Sequence, residues 1–274
     1  MSFASVMVHL DIDEATPENR IRLAADLAHQ FHATLIGITA CMPILPRGVE
    51  PAVELHEAEL ERQKLSAEIA AKERLFIRLT KDTAGPKEWR SALDLPDKAV
   101  PREARAADLV IISKDQISDD PIRSLDPNAA ILTMGCPVLA VPRTVSSLKP
   151  KRVLIAWQDA RESRRAIKDA LPFLHNADEV LVTQVCQLSP TDEAKKAVND
   201  VVQYFLRHRI MASAGIMLRS SGTVAEELIR VAQYERIDLI VAGAYGHSRL
   251  GEWAFGGVTR ELLASSPVCC LFSH

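Results

Sequence analysis

The chain is written twice. Ala107-Asp108-Leu109-Val110-Ile111-Ile112-Ser113 returns as Ile237-Asp238-Leu239-Ile240-Val241-Ala242-Gly243, and Cys136-Pro137-Val138-Leu139-Ala140-Val141 returns as Ser266-Pro267-Val268-Cys269-Cys270-Leu271. Both pairs stand 130 residues apart, so the stretch between them keeps its length in both copies. Upstream, Val6-Met7-Val8-His9-Leu10-Asp11 is matched by Val153-Leu154-Ile155-Ala156-Trp157-Gln158 at an offset of 147. A chain with that internal register has to build one kind of unit twice. Two domains follow, residues 1–147 and 148–274, joined by the short polar stretch 144–150, which tethers them closely.

Each copy alternates short apolar runs with longer helical stretches. The runs are 6–10, 34–39, 109–112 and 138–141, then 153–156, 179–185, 239–242 and 268–272. Continuous apolar runs suit parallel strands buried on both faces. Residues 19–32, 53–79, 162–175, 191–209 and 223–234 read as helices, with Thr191-Asp192-Glu193 forming an amino-terminal cap and acidic first turn. The expectation is α/β: two repeated doubly wound, Rossmann-like domains, each with a mostly parallel five-stranded sheet. Ligands of such sheets bind beyond the carboxyl ends of the strands, so residues just after strands carry the chemistry.

Composition narrows the partners. With 47% hydrophobic residues, 25% charged residues and a net charge of −3, the chain has a core-forming makeup and no basic field for nucleic acid or anionic lipid. No run is long enough to span a membrane and no signal region leads the sequence, so a cytoplasmic protein is expected. Its five cysteines include no C-x-x-C pair, which suits a reducing compartment.

After the run 239–242 comes G-A-Y-G-H-S-R-L-G-E-W-A-F-G-G-V-T, in which Gly243, Gly246 and Gly256 are spaced G-x2-G-x9-G. This loop, the apolar run before it, the Pro-Val strand after it and the repeat together resemble the universal stress protein family, in its tandem, two-domain form. The resemblance covers essentially the whole chain. It implies the adenine nucleotide alpha hydrolase-like fold and a regulatory, stress-related protein whose second half binds ATP or a related adenine nucleotide, with magnesium. The implied site comprises Ala156, Trp157 and Gln158 at the first strand's end, Val185 after the second, and Ala242, Gly243, Gly246, His247, Arg249, Gly256, Gly257, Val258 and Thr259 along the loop and the next helix. In that reading Gly243 keeps a side chain out of the nucleotide's way, Gly246 permits the turn, and Gly256-Gly257 presents free amides to a phosphate.

Two positions depart from the family's pattern. Gly257 stands where nucleotide-binding members have a hydroxyl, and Gln158 where they have an aspartate. In the first half the loop positions are Ser113, Gln116, Asp126 and Pro127, and Asp115, Asp119, Asp120 and Asp126 make the loop acidic, which repels phosphate. That half does not bind ATP in the family's way, and Asp11 is left as an orphan.

Other residues have plainer readings. His9 lies in an apolar strand and reads as a hydrogen-bonded core histidine; Cys41 and Cys186 follow the second strand of each half without metal-ligand spacing beside them. Trp157 and Trp253 flank the expected pocket, and 53–79 reads as a solvated helix covering the sheet. No catalytic triad, paired carboxylate site or Walker loop is present, so catalysis beyond slow ATP hydrolysis is not expected. The alternative function is a nucleotide-free interaction protein of the same fold; a further one gives the first crevice, with Asp11, His9 and Cys41, another small ligand. The halves are expected to face each other as an intramolecular pseudo-dimer, with a homodimer through the last strand, 268–272.

Overall fold

The computed structural model describes residues 2–44, 51–115, 119–186, 191–219, 222–246 and 257–274, with backbone alone at 51–54. The first half runs β1 (Ser5–His9), α1 (Glu18–Phe31), β2 (Thr34–Ala40), α2 (Pro51–Thr80), β3 (Lys87–Ala92), α3 (Pro96–Glu103), β4 (Leu109–Ser113), α4 (Pro127–Thr133) and β5 (Val138–Val141). The second runs β6 (Arg152–Ala156), α5 (Arg161–Asp169), the single turn α6 (Leu171–Leu174), β7 (Glu179–Cys186), α7 (Asp192–Arg207), β8 (Ala212–Leu218), α8 (Val224–Tyr234), β9 (Leu239–Gly243), α9 (Gly257–Ser265) and β10 (Cys269–Ser273).

All ten described strands lie in one sheet, in the order β3-β2-β1-β4-β5-β10-β9-β6-β7-β8. Every pairing inside a half is parallel, and each half has the same order, so the repeat in sequence is a repeat in topology. The halves meet where β5 and β10 pair antiparallel, Leu139 opposite Leu271. The expected pairing of two chains through the last strand is therefore corrected. Strand β10 has β9 on one side and β5 of the same chain on the other, which leaves no edge for a second molecule.

Side chains alternate across the strands and divide the core into two layers. One joins Val6, Val8, Leu139, Val153 and Leu271 to α1, α5, α6 and α7; the other joins Met7, Val110, Ile240 and Phe272 to α3, α4, α8 and α9. Each layer draws on both halves. At the seam Phe3, Phe31 and Phe173 pack edge to face, with ring centroids 5.0 to 5.4 Å apart. The expected cap holds, since the Thr191 hydroxyl accepts from the Ala194 amide at 3.1 Å. Strands β3 and β8, one at each end of the sheet, are the two that apolar runs do not reveal.

Candidate functional site

In the second half the chain leaves β6 towards β7 on one side and returns through β9 on the other. That strand-order switch opens a crevice beyond the carboxyl ends. A cleft of about 390 Å³ lies there. Its wall includes Ala156, Trp157, Gln158, Val185, Ala242, Gly243 and Val258, seven of the residues expected from sequence. Ser163, Thr183, Gln184, Val224 and Leu228 complete it. The backbone of Trp157 is fixed by its amide, which donates to the Thr183 carbonyl at 2.8 Å. Three buried side-chain atoms of wall residues have no protein partner: Trp157 Nε1, Thr183 Oγ1 and Gln184 Oε1. Leaving such groups unpaired costs about 1–3 kcal/mol each, so the wall favours a guest or water that hydrogen-bonds.

Gly243 has a reason for being there that the sequence does not suggest. A Cβ on Gly243 would lie 2.4 Å from the Ser163 amide nitrogen and 2.6 Å from the Glu162 carbonyl carbon. A Cβ on Gly246 would lie 2.8 Å from Glu162 Oε2 and 3.4 Å from Ala160 Cβ. Gly243 makes room for the backbone of the first turn of α5, whereas Gly246 meets only the tip of the Glu162 side chain and a methyl. Nor does Gly246 supply the left-handed residue of the turn: Tyr245 does, at φ 59°. Glu162, which sequence reasoning missed, is buried at that turn and pairs with Arg161 at 3.0 Å. An acidic residue there also suits the positive end of the helix.

Gly257 begins α9, and among the described residues no atom lies within 4 Å of where its Cβ would be. Thr259, the last of the expected site residues, is 3% exposed inside α9, and neither it nor Gly246 or Gly257 is among the described wall residues. His247, Arg249, Gly256 and Trp253 lie outside the described residues, as does Gln116.

The first half is filled with its own chain. Asp11 is no orphan: its Oδ1 accepts from the Leu125 amide at 2.9 Å. The Met42 amide donates to the Ile122 carbonyl at 2.9 Å, and Arg123 holds Asp13 at 2.6 Å and Glu68 at 2.9 Å. The hydrogen bond to Arg123 holds the Asp13 carboxyl below its ordinary range, ahead of an opposing burial effect. Asp126 caps α4 by accepting from the Asn128 amide at 2.9 Å. The segment thus closes over the ends of β1 and β2, with Ser124 and Leu125 buried beneath it. The crevice expected at Asp11, His9 and Cys41 is occupied at Asp11 by protein.

His9 is fully buried, and neither ring nitrogen has a hydrogen-bond partner. Burial lowers its pKa and Asp11, 3.6 Å away, opposes this. Cys41 is buried too, its thiol pushed up to about 11 by burial, so it stays protonated and unreactive near neutrality. Among the described residues no group of three or more His, Cys, Asp or Glu side chains is arranged to hold a metal.

Residues 149–273 match the model of the universal stress protein family. No curated protein matches the chain. Among solved structures, a universal stress protein from Archaeoglobus fulgidus superimposes with a TM-score of 0.66 at 13% identity, covering 98% of this chain and 96% of that one. A functionally unknown protein from Pseudomonas aeruginosa PAO1 superimposes with a TM-score of 0.57 at 14% identity, covering 99% and 92%. These likenesses concern the fold, and they extend over both halves.

Proposed function

We propose that the whole chain is a tandem universal stress protein, with domains 1–147 and 148–274, and that its second half binds ATP or a related adenine nucleotide in a regulatory, stress-related role. The observation that carries this reading is the cleft at the β6–β9 switch. Its volume of about 390 Å³ falls in the range of small-molecule sites, roughly 300–1,000 Å³. Ala156, Val185, Val258 and Leu228 offer the apolar surface a flat base requires, and Trp157 Nε1, Thr183 Oγ1 and Gln184 Oε1 offer unspent hydrogen-bonding capacity. The described wall carries no cationic side chain, so the base and ribose belong here. The phosphates, with any magnesium, then belong towards the start of α9.

No general base or nucleophile is assigned, and we read the protein as a binder, at most a slow ATP hydrolase. Cytoplasmic residence fits this role, and no helix among the described residues is long and apolar enough to cross a membrane. Calorimetric titration with ATP and magnesium tests the site. Saturable heat in the wild type, abolished by Ala156→Phe with folding intact, is the expected result; no heat at millimolar nucleotide would sink it.

One observation favours the second reading, a nucleotide-free interaction protein. Gly243 is accounted for by the packing of α5, so it no longer requires a ligand. A titration without heat, together with a stress phenotype that survives Ala156→Phe, is the outcome this reading expects.

A further inference from the structure

We propose that β8 is a docking edge for a second copy of this chain, which extends the sheet across a two-fold axis through Gly215. The two ends of the sheet are built differently. At β3 the sequence is Lys87-Glu88-Trp89-Arg90-Ser91-Ala92, with Arg90 paired to Glu88 at 2.9 Å and to Glu103 at 3.3 Å; charged side chains of this kind keep edges from pairing. At β8 the sequence Met211-Ala212-Ser213-Ala214-Gly215-Ile216-Met217-Leu218 holds no charge and no proline, and Met211 and Leu218 are 72% and 53% exposed. No described strand lies beyond it.

The ladder to β7 fixes which backbone groups remain unpaired. The Val180 amide donates to the Met211 carbonyl, and the Arg219 amide donates to the Cys186 carbonyl. With Val180 opposite Ala212 and Cys186 opposite Leu218, the odd-numbered residues turn their N–H and C=O groups towards β7. Ala212, Ala214, Ile216 and Leu218 turn theirs towards the free edge. These four are symmetric about Gly215, so an antiparallel copy centred there sets Ala214 opposite Ile216 and Ala212 opposite Leu218. Each such pair exchanges two bonds, and every outward group on both strands is satisfied. That makes eight hydrogen bonds, close to the roughly ten of an ordinary protein interface.

At the axis Gly215 faces its own copy at the close, non-bonded position, where Cα atoms approach to about 4.5 Å and the absence of a side chain is an advantage. Met211 falls opposite Arg219, so within 211–219 no like charges stand directly opposite each other. The chain already uses this kind of joint once, where β5 and β10 pair antiparallel between two half-sheets. That is the argument for a second copy of this chain over an unrelated strand.

Analytical ultracentrifugation at tens of micromolar protein tests the edge, independently of nucleotide. The wild type is expected at twice the chain mass. Ala214→Pro removes an outward N–H and no bond to β7, so it is expected at the chain mass with an unchanged circular dichroism spectrum. Ser91→Pro, the same change at the β3 edge, is expected to stay at twice the mass. A wild type at the chain mass, or Ala214→Pro still at twice, overturns the proposal. Should Ala214→Pro fail to fold, amide exchange on the wild type decides. Slow exchange at Ala212, Ala214, Ile216 and Leu218 is expected, and exchange at open-strand rates overturns it.

Discussion

The ends of β1 and β6 are equivalent points of two half-sheets with one topology, and the chain uses them in opposite ways. Beyond β1, the segment through Ile122, Arg123 and Leu125 folds back and bonds to Met42, Asp13 and Asp11. Beyond β6, Ala156, Trp157 and Gln158 face a cleft of about 390 Å³. The substitutions match the uses: buried His9 corresponds to Ala156, and buried Asp11 to exposed Gln158. A doubly wound sheet makes a crevice wherever its strand order switches. Topology supplies the opening; the side chains decide whether protein or a guest fills it.

The sharpest way to break the comparison is to exchange the residues that end β4 and β9. Between β6 and α5 lie four residues, 157–160, while between β1 and α1 lie eight, 10–17. The shorter connection brings the first turn of α5 down onto Gly243. Gly243→Ser is expected to cost about 3 kcal/mol, because the new Cβ meets backbone that cannot rotate away. Ser113→Gly should cost about 1 kcal/mol or less, since it removes a buried hydroxyl without a partner and adds only chain entropy. Urea unfolding of both variants measures the contrast. Equal losses would mean that the glycine is not there for α5.

The repeated architecture was legible because eight of the ten strands are apolar runs, and a strand covered on both faces has to be one. Strands β3 and β8 escaped because each is an edge and largely exposed, so Lys87-Glu88 and Ala212-Ser213 carry no burial signal. Strand-end reasoning together with the family resemblance found seven wall residues. It missed Ser163, Val224 and Leu228, which reach the cleft from α5 and α8, because the sequence does not say which helix crosses the opening. Thr183 and Gln184 stand just before Val185, where a wider reading of the strand end would have included them. The glycine spacing was plain, but its cause was not: Gly243 meets Glu162 and Ser163 some eighty positions away in the chain.

Asp11 and Gln158 give the next largest contrast. Asp11→Ala leaves the Leu125 amide buried without its acceptor and should destabilise the protein by about 2 kcal/mol. Gln158→Ala changes an exposed side chain at the equivalent point and should stay within about 0.5 kcal/mol. Chemical denaturation of the two variants checks this. A neutral Asp11→Ala would show that the first crevice does not depend on the bond that closes it.

The smallest contrast is a slope with pH. Burial holds His9 below the ordinary value of 6.5; Asp11 and Glu14 pull it up, and Arg20 and Lys72 push it further down. The folded chain therefore keeps the ring neutral where the unfolded chain takes up a proton. His9's contribution is whole above about pH 6.5. It falls as the pH drops towards the folded value, by up to about 1.4 kcal/mol per pH unit. His9→Met should remove that part of the acid sensitivity, flattening the loss of stability between about pH 7 and pH 5. Ala156→His puts an imidazole at the equivalent position, where the cleft leaves it in contact with water, so it should add no comparable slope. If it steepens the acid response as much as His9 does, the second cleft is closed to solvent in solution and the difference between the halves is smaller than their structures make it.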